Sequence, residues 1–523
     1  MFPHVEKKNL LLSGVPSCVT RELSRITHSV MDRDWSHTQK PHLSSGVHAR
    51  VRRRLILLSC RRRVCCGFSG HPLLRGFVMD RFVSRAETAE QRERRILRMV
   101  AKPGPDMVLE DLPGFAPPLD WAAEMRQVFS PWTQTGKDLR ILLLCAGVDA
   151  PSYAFQMMGI PHVAEVWDVD PWLKPALLKL HRSCERLHVG PIAGDILRQP
   201  CCSFGSANVL VAGPPCPPWS SMGVQKSWDD PRAAVFDKVL KVINDQAWRS
   251  RSSGPRSDAF FMFLLENVEG MLKRSKADKE AGLPCPMEQV RLRLQETLPA
   301  CWILTVMRAE TCEAGLPHKR GRVYLRGLDR QALSPHTRGS FTRWWGAGPR
   351  LEMVFAPARL PHPGLGSCVR LDLPNTDKVA AGRGNKYMKN LDLYKISHVE
   401  AMTDQTKKGM FAVVDLSRDR DCGYGEVARF DDLCLCLTAS NETLWVFSLG
   451  VAPASLDRTQ MPTVALPVDR WLHPCERALL QGFPPDMRVR VRDATRVFGN
   501  AMSVPVVGFI LYPVLHHMMP AFL

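Results

Sequence analysis

Short, almost continuous apolar runs recur along the middle of the 523-residue chain and constrain its fold more than any other feature. Each run has the length of one buried strand, and helical stretches such as Met287–Leu298 stand between some of them. Strands that are apolar on both faces are typical of a parallel sheet covered by helices on each side. The sequence therefore predicts an α/β fold with a doubly wound, mostly parallel sheet. Its predicted strands are Leu139–Cys145, Val163–Trp167, Val209–Ala212, Phe260–Leu265, Trp302–Val306 and Arg322–Gly327.

The regular alternation stops near residue 331 and returns near residue 465. Residues 331–464 are rich in Pro, Gly and Arg, and we predict them to form an inserted smaller domain. Residues 138–330 and 465–523 would then be two parts of one α/β domain. Residues 1–137 are predicted to be a basic, largely disordered extension with one short helix from Ser84 to Val100, which a capping box opens.

Composition excludes several classes of protein. The chain is 45% hydrophobic and 23% charged, values typical of a globular protein and not of a collagen-like or wholly disordered one. Its 17 cysteines are scattered and no secretory signal precedes them, which favours a reduced, intracellular compartment. The longest apolar segment, Val504–Leu515, is shorter than the roughly 20 residues of a membrane helix, so we expect no membrane partner.

Positive charge is concentrated at the front of the chain. Residues 1–100 hold 20 Lys or Arg and 8 Asp or Glu, and they carry +12 of the net +18. Arginine clusters at 52–54 and 61–63 are typical of a nuclear address or a nucleic-acid tether. An extension without a function explains them equally well. The expected location is intracellular and nuclear, but total charge is weak evidence for a nucleic-acid partner.

A cysteine framed by prolines follows the predicted strand Val209–Ala212, in the segment Gly213-Pro214-Pro215-Cys216-Pro217-Pro218-Trp219-Ser220. Loops at the carboxyl ends of parallel strands line the ligand crevice of doubly wound folds. The prolines restrict the loop, so Cys216 would be held in a fixed position. A thiolate there would be a strong nucleophile. Taken alone, such a segment is more often a buried cysteine in a turn.

Two further polar motifs follow along the chain. Glu266 and Asn267 end the apolar run Phe260–Leu265, where a carboxyl group could donate a proton. Arg320 lies just before, and Arg322 at the start of, the last predicted strand of the main sheet. Two residues apart on an extended segment, they point the same way and suit a phosphate or a ring carbonyl. Solvated strand ends are the alternative for each motif alone.

In order and spacing, Pro-Pro-Cys216, Glu266-Asn267-Val and Arg320-x-Arg322 resemble the C5-cytosine DNA methyltransferase family. The resemblance covers about 138–330 and 465–523 and implies a Rossmann-like fold that uses S-adenosylmethionine. It implies that Cys216 attacks cytosine C6 and that Glu266 contacts and protonates ring N3. Asn267 would brace the loop, and Arg320 and Arg322 would hold the base and its phosphate.

The resemblance also implies DNA as the partner and a target cytosine flipped out of the duplex. Residues 331–464 would be the target-recognition domain, with Arg343, Trp344 and Trp345 as loose candidates for DNA contacts. The oligomeric state stays open.

A cofactor site is implied at the ends of the first strands. Asp168 aligns with the carboxylate that binds ribose hydroxyls in this family. Gly194-Asp195-Ile196 matches the element that reads the adenine amino group, and Asn500–Met502 would lie near the methionine end. The predicted cofactor-binding residues are Cys145, Ala146, Gly147, Asp149, Ala150, Asp168, Val169, Asp195, Ile196, Pro214, Asn500, Ala501 and Met502.

Departures from the family pattern keep two alternatives open. Only Gly147 remains of the glycine-rich first loop, and Cys145 stands where the family has an aromatic residue. Trp219 replaces the usual Phe, Pro217 a Gln, and His318 another Gln. The altered first loop favours a catalytically silent nucleic-acid-binding scaffold, which retention of both Cys216 and Glu266 opposes. Transfer-RNA methylation is the other alternative, although the Cys-Phe-Thr signature of that branch is absent.

A metal site is not expected. Cys65-Cys66, Cys201-Cys202 and the pair Cys434 and Cys436 are the obvious candidate ligands, but no pair has the Cys-x-x-Cys spacing of a zinc site.

Overall fold

The computed structural model describes a set of segments that all lie in the compact unit Ala86–Leu523. The predicted helix from Ser84 to Val100, both arginine clusters, and Arg343, Trp344 and Trp345 lie outside them. The described segments are residues 106–108, 120–181, 186–220, 226–251, 259–332, 364–369, 387, 390–391, 394, 411–418, 426–440, 443–448, 468–484, 487–490 and 493–522.

Strands and helices alternate through the first half of this unit. The strands are β1 (Asp106–Val108), β2 (Leu139–Leu144), β3 (His162–Asp168), β4 (Leu187–Val189), β5 (Val209–Ala212), β6 (Met262–Val268), β7 (Trp302–Glu310), β8 (Gly321–Asp329), β9 (Phe411–Asp415), β10 (Ala428–Arg429), β11 (Leu444–Ser448), β12 (Asp469–Trp471) and β13 (Arg488–Arg490). The helices are α1 (Ala123–Thr133), α2 (Ala150–Met157), α3 (Lys174–Leu180), α4 (Ala233–Arg251), α5 (Lys276–Glu280), α6 (Pro286–Thr297), α7 (Pro474–Leu479), α8 (Ala494–Asn500) and α9 (Val504–Phe522).

A seven-stranded sheet forms the centre of the unit, in the order β4-β3-β2-β5-β6-β8-β7. The neighbours from β4 to β6 run parallel, and β8 is antiparallel to both of its neighbours. Every side chain of β5 is buried, as expected for a central strand with helices on both faces. All six strands predicted from the apolar runs are present, so the α/β, mostly parallel, Rossmann-like prediction is confirmed.

Two hydrophobic layers cover the sheet. One layer packs Phe129 of α1, Phe155 of α2 and Val507 of α9 against one face. The other packs Phe236 of α4 and Val290 of α6 against the opposite face. Helices on both faces make the fold doubly wound, and the loops at the carboxyl ends of the parallel strands are left at one edge.

The apolar C-terminal segment forms a helix in spite of its internal prolines. Within Ala494–Met518, an 18-residue window has a mean hydropathy of 1.6. By length and composition alone, this segment could cross a membrane. However, 78% of that window is buried inside the protein, and α9 packs on α1 and α2. This degree of burial is typical of a core helix. The sequence expectation missed both the length and the helical character of the segment.

A second, antiparallel sheet has the order β10-β9-β11-β12, with its own small core that includes Val413, Leu444 and Val446. Most of this smaller sheet lies in the segment predicted as an inserted domain. Its edge strand β12 lies beyond residue 464, so the sheet also takes in the start of the C-terminal segment. The domain boundaries themselves stay a prediction.

Candidate active site

The sheet topology brings the three polar motifs to one edge. The loop 213–220 follows β5, and Glu266 and Asn267 lie near the end of the neighbouring β6. Because β8 runs in the opposite direction, its first residues lie at this same edge, with Arg322 opposite Val268. Motifs about 50 residues apart in the sequence are therefore neighbours in space.

Main-chain hydrogen bonds and one side chain fix the loop that carries Cys216. The Cys216 carbonyl accepts from Trp219 N and Ser220 N, each at 3.0 Å. The buried Asn267 donates through Nδ2 to the Pro214 carbonyl at 3.0 Å. The side chain of Asn267 thus connects the end of β6 to the loop, as the sequence expects of it.

Two tight contacts hold the far end of the same loop. Gly270 lies so close that a Cβ there would be 1.9 Å from the Trp219 carbonyl oxygen. The buried Trp219 ring packs edge-on against Trp228 and Phe236, with ring centroids 5.3 Å away in each case. The aromatic ring at position 219 therefore anchors the loop in the core.

Glu266 and Arg322 form an ion pair beside the loop. Arg322 Nε lies 3.0 Å from Glu266 Oε1, and the two side chains are 14% and 12% exposed. Glu266 Oε2 lies 3.6 Å from the position that a Cβ of Gly213 would occupy. The carboxylate thus sits between the start of the cysteine loop and Arg322, near the surface of the cleft.

The surroundings of Cys216 oppose ionisation of its thiol. Burial raises the pKa of Cys216, and the negative charge of Glu266 raises it further, whereas Arg322 and Arg320 lower it. At neutral pH the free protein therefore holds Cys216 as the thiol. Because the charge of Glu266 is one of the two causes of the raised pKa, ionisation of the Cys216 thiol depends on this carboxylate.

Arg320 does not have the position predicted for it. Its guanidinium is buried, and it donates through Nη1 to the carbonyls of Leu437 at 2.5 Å and Gly499 at 3.0 Å. Nη2 donates to Ala501 at 2.8 Å. Bonds to backbone carbonyls hold Arg320 inside the protein, whereas Arg322 reaches Glu266 beside the cysteine loop.

His318 also bonds to the backbone of the protein. Its Nε2 accepts from Leu437 N at 3.0 Å, and the other ring nitrogen contacts the Leu480 carbonyl at 3.1 Å. Burial lowers the pKa of His318 well below its usual value, and the charges of Arg320 and Arg322 lower it further. The ring is therefore neutral, with its proton on Nδ1, and it joins three segments of the chain.

On the cofactor side, Asp168 lies beneath the first loop. Gly147 N donates to Asp168 Oδ2 at 2.9 Å, and Asp170 N donates to Oδ1 at 2.8 Å. Burial raises the pKa of Asp168 to about 6, although both of these bonds act in the opposite direction. Gly147 has a φ of +59° and open space where a Cβ would stand, which leaves room for a ligand beside the carboxylate.

The turn that carries Asp195 packs directly on the end of β3. A Cβ on Gly194 would lie 1.8 Å from the Asp168 carbonyl oxygen, so only glycine fits there. Asp195 caps the next turn by accepting from Leu197 N at 3.0 Å, and Ile196 is buried. The large apolar side chains of Val169, Ile192 and Leu197 are exposed around these carboxyl groups.

An exposed apolar rim next to carboxylates suits a flat, partly polar ring. The sequence prediction included Val169 but missed Ile192 and Leu197. The sequence pattern that could have identified them is a pair of apolar residues on either side of the Gly194-Asp195 turn.

Asp149 was predicted to bind the cofactor, but both of its carboxylate oxygens are engaged within the fold. Oδ1 accepts from Ser152 N at 2.8 Å and caps α2. Oδ2 lies 2.6 Å from Nε2 of His181. Asp149 and the following Ala150 are buried. The carboxylate of Asp149 is therefore used within the fold, and Ala150 is the first residue of α2; cofactor binding by Ala150 stays a prediction.

Gly213 is where the two halves of the site meet. A Cβ at this position would lie 2.9 Å from Met502 Cε and 3.5 Å from the Cys145 carbonyl, as well as near Glu266. Ala501 and Met502 are buried and Asn500 is exposed. Cys145 and the half-buried Ala146 follow β2. Of the other predicted residues, the buried Pro214 belongs to the cysteine loop.

Within the described segments, no group of three or more His, Cys, Asp or Glu side chains is placed to hold a metal ion. Cys201, Cys202 and Cys434 are free thiols, and Cys436 Sγ donates to the Leu437 carbonyl at 3.7 Å. Cys65 and Cys66 lie outside the described residues.

Comparison with known proteins identifies the kind of domain to which this edge belongs. Residues 139–358 match the family model described as C-5 cytosine-specific DNA methylase. The Type II methyltransferase M.SsoII of Shigella sonnei is 21% identical over 324 residues, which cover 61% of this chain and 66% of that protein. The Type II methyltransferase M1.ScrFI of Lactococcus lactis subsp. cremoris is 24% identical over 144 residues, which cover 28% and 31%.

The chain thus spans just under two thirds of the first relative and about a third of the second. Among solved structures, the methyltransferase EhMeth of Entamoeba histolytica is 12% identical with a TM-score of 0.43, over 72% of this chain and 98% of that one. The family match and the curated relatives confirm the resemblance to the C5-cytosine methyltransferases.

Proposed function

Because residues 139–358 carry a C-5 cytosine-specific DNA methylase domain, we propose that this protein transfers a methyl group from S-adenosylmethionine to C5 of cytosine in DNA. One observation carries the proposal. The thiol of Cys216, on a loop fixed by Asn267, shares one sheet edge with the Glu266–Arg322 ion pair. Cytosine C5 is a weak nucleophile, and a thiol and an acid are the groups needed to activate it.

The first step adds the enzyme to the base. Cys216 Sγ forms a bond to cytosine C6 while its thiol proton passes through the Glu266 carboxylate to N3. The electron pair of the C5–C6 double bond shifts to form a C4–C5 double bond, and the pair of the C4–N3 double bond forms the new N3–H bond. Protonation at N3 avoids a negative charge on the ring. Arg322, paired with Glu266 at 3.0 Å, holds that carboxyl group and the edge of the base in position.

The second step uses the electron density now available at C5. When bound, S-adenosylmethionine would supply the methyl group as an electrophile, and its sulfur would keep the electron pair of the broken bond. A base then takes the C5 proton, the C5–C6 double bond re-forms, and the bond from C6 to Cys216 breaks. The proton on N3 returns through Glu266 to the departing Cys216 thiolate, so the enzyme ends as it began.

The dependence of the Cys216 pKa on the charge of Glu266 links the nucleophile to the substrate. In the free protein the charge on Glu266 raises the pKa of the thiol. A proton shared between Glu266 and N3 of a bound cytosine neutralises part of that charge at the moment when the thiolate is needed. Reaction of the thiol with other electrophiles is thereby limited when the base is absent.

The residues of the cofactor half fit S-adenosylmethionine. Asp168 would accept from the ribose hydroxyls, Asp195 from the adenine amino group, and the apolar rim of Val169, Ile192 and Leu197 would contact the adenine. The open space at Gly147 leaves room for the ligand. Met502, packed on Gly213, would lie beside the methionine end, next to the cysteine loop.

Duplex DNA is the partner we propose, with the target cytosine flipped into the cleft. The description of the matched family supports DNA, as do relatives named as Type II methyltransferases. Residues 331–464 would read the target sequence. We further propose a nuclear location, addressed by the arginine clusters at 52–54 and 61–63. A reporter fused to residues 1–100 that stays outside the nucleus would contradict this.

Covalent trapping tests the proposed reaction. A base can remove a proton from C5 but cannot remove fluorine as a cation. A duplex with 5-fluorocytosine should therefore remain attached to the enzyme after methyl transfer. We expect a denaturant-resistant adduct that requires S-adenosylmethionine and is absent in Cys216→Ser. Absence of an adduct with the intact protein would contradict the reaction, and an adduct with Cys216→Ser would contradict the assigned nucleophile.

The same assay with 5-fluorocytosine in transfer RNA separates the substrates. Trapping on transfer RNA and not on DNA would replace the proposed substrate. The alternative of a catalytically silent scaffold draws support from the first loop, where the Asp149 carboxylate bonds to Ser152 N and His181 within the fold. Cys145 in the same loop has a φ of +52°. The scaffold alternative requires that S-adenosylmethionine fails to bind, which a calorimetric titration of the whole protein measures.

A further inference from the structure

Three distant segments meet at the buried guanidinium of Arg320. The first is the start of β8. The second is the loop Cys434–Ala439, which lies between β10 and β11 of the smaller sheet and supplies the Leu437 carbonyl. The third is the end of α8 and the residue after it, which supply the carbonyls of Gly499 and Ala501. These segments come from the methylase domain, the smaller sheet and the C-terminal part of the chain.

Other contacts hold the same segments together. A Cβ on Gly499 would lie 2.2 Å from the carbonyl carbon of Thr438, so the end of α8 touches the backbone of the loop. Cys434 N donates to the Pro317 carbonyl at 2.8 Å, and Lys319 N donates to the Cys434 carbonyl at 3.0 Å. His318 accepts from Leu437 N. The loop Cys434–Ala439 is therefore bonded along most of its length.

A guanidinium suits this position because it offers five donors in a fixed plane, whereas an ammonium group offers three donors without a fixed direction. Bonds from a charged donor in a buried site are among the strongest that side chains make. Removing such a donor leaves buried carbonyls without partners. A lysine at position 320 cannot keep all three carbonyls at their observed positions.

We propose that Arg320 is a positioning residue that couples the cofactor site to the loop of the smaller sheet. Met502, which follows Ala501, packs beside Gly213, where we place the methionine end of the cofactor. Stabilisation of residues 499–502 by the bound cofactor is transmitted through Arg320 to Cys434–Ala439. The hydrogen bonds of this loop therefore open less often when the methyl donor is bound. This inference rests on the proposed function, because it requires a cofactor at that site.

Hydrogen–deuterium exchange on the whole protein tests the coupling, with S-adenosylhomocysteine as the probe so that no turnover occurs. In the wild type we expect the probe to slow exchange at residues 145–150, at 499–502 and also at 434–439. In Arg320→Lys we expect the slowing at 434–439 to disappear and that at 145–150 to remain, with affinity for the probe about tenfold weaker.

Arg326→Lys is the matched control, because Arg326 is also a buried arginine of β8 and donates to the Ile510 carbonyl at 3.1 Å. A merely structural role for buried arginines predicts equal losses in both variants. The coupling predicts that Arg326→Lys keeps the slowed exchange at 434–439. Circular dichroism spectra of both variants establish that they are folded.

Each outcome decides a different point. A wild type that binds S-adenosylhomocysteine without slower exchange at 434–439 overturns the coupling, and this measurement needs no variant. Slowing at 434–439 that survives in Arg320→Lys overturns the role of Arg320. A wild type that does not bind the probe at all overturns the proposed function itself, together with the coupling that depends on it.

Discussion

The two halves of the candidate site are built in different ways. The half around Cys216 depends on side chains, since the Cys216 thiol, the Asn267 amide and the Glu266–Arg322 pair each supply a named group. In the half around Asp168, carboxylates and apolar side chains line the site, but the first loop contributes mainly backbone groups, through Gly147 N and the Cys145 carbonyl, and Gly194 packs on the backbone of Asp168.

This difference explains why the motifs match the family unequally. A reaction that needs a thiol and a carboxyl group requires those residue types. A loop that offers N–H and carbonyl groups keeps them after its side chains change, provided that the backbone holds the same path. The altered first loop is therefore weaker evidence against catalysis than the loss of one reacting side chain would be.

The largest expected effect is a loss of methyl-transfer rate without a matching loss of cofactor affinity. Glu266→Gln should lower the methyl-transfer rate by about 10²–10⁴, the range for loss of a general acid. Cofactor affinity should change little, because the cofactor half does not use the carboxylate. Incorporation of labelled methyl groups into duplex DNA and a calorimetric titration measure the two quantities, with the exposed Glu280→Gln as the control.

The same Glu266→Gln variant should make the Cys216 thiol more reactive. Removing the negative charge lowers the pKa of Cys216, because that charge is the second cause of its raised value. Alkylation by iodoacetamide, followed at the Cys216 peptide by mass spectrometry, should become faster at neutral pH. An unchanged or slower alkylation rate would show that Glu266 does not control the thiol.

Gly270→Ala should impair catalysis by the half of the site around Cys216 and leave cofactor binding by the half around Asp168 intact. The added Cβ would meet the Trp219 carbonyl oxygen at 1.9 Å and push the cysteine loop away. A displacement of about 1 Å typically costs about a hundredfold in rate, so kcat should fall by that factor while the cofactor Kd stays near the wild-type value. Equal losses in kcat and in cofactor affinity would contradict this separation.

Gly194→Ala is the corresponding test of the half of the site around Asp168. Its Cβ would meet the Asp168 carbonyl oxygen at 1.8 Å, and overpacking of this kind typically costs about 1–3 kcal/mol. The cofactor Kd should rise roughly thirtyfold, and kcat at saturating cofactor should stay close to normal. Ala193→Ser, on an exposed residue of the same turn, is the control and should leave the Kd unchanged.

The smallest expected effect is a dependence of cofactor affinity on pH. The carboxylate is the form of Asp168 that accepts two ribose hydroxyls, and its pKa is about 6. Affinity should therefore weaken by about tenfold between pH 7 and pH 5 as the group becomes protonated. Because the pKa lies above the ordinary 3.8, the charge of Asp168 also costs folding free energy above pH 6, and this cost vanishes below about pH 4.

Asp168→Asn provides the control for the pH dependence. This variant should bind the cofactor weakly at every pH and lose the step near pH 6. A step of equal size in the variant would assign the titration to another group.

Apolar runs predicted the main sheet well because a strand buried on both faces needs little information from elsewhere in the chain. The helix α9 was missed because its prolines masked a segment that tertiary packing keeps helical. Glu266 and Asn267 were correctly expected beside Cys216, since the carboxyl ends of neighbouring parallel strands share one edge.

Arg320 and Asp149 were misplaced, and the backbone bonds of His318 were missed, for a common reason. The partners of Arg320 lie 117 to 181 residues away in the sequence, and those of His318 lie 119 and 162 residues away. Asp149 pairs with His181, 32 residues further on. Which polar group faces a ligand and which one bonds to the backbone depends on these distant contacts, and a local motif does not contain them.

The antiparallel pairing of β6 and β8 also bears on how faithfully the chain folds. Glu266 is opposite Tyr324, so Arg322 is its diagonal neighbour on the same face of the sheet. A slip of one residue would turn every side chain of β8 to the other face, and Arg322 would point away from Glu266. Misregistered molecules could keep most of their hydrophobic burial and still lack the ion pair. Catalytic competence therefore reports whether this one strand pair, which joins segments more than 50 residues apart in the chain, has the correct register.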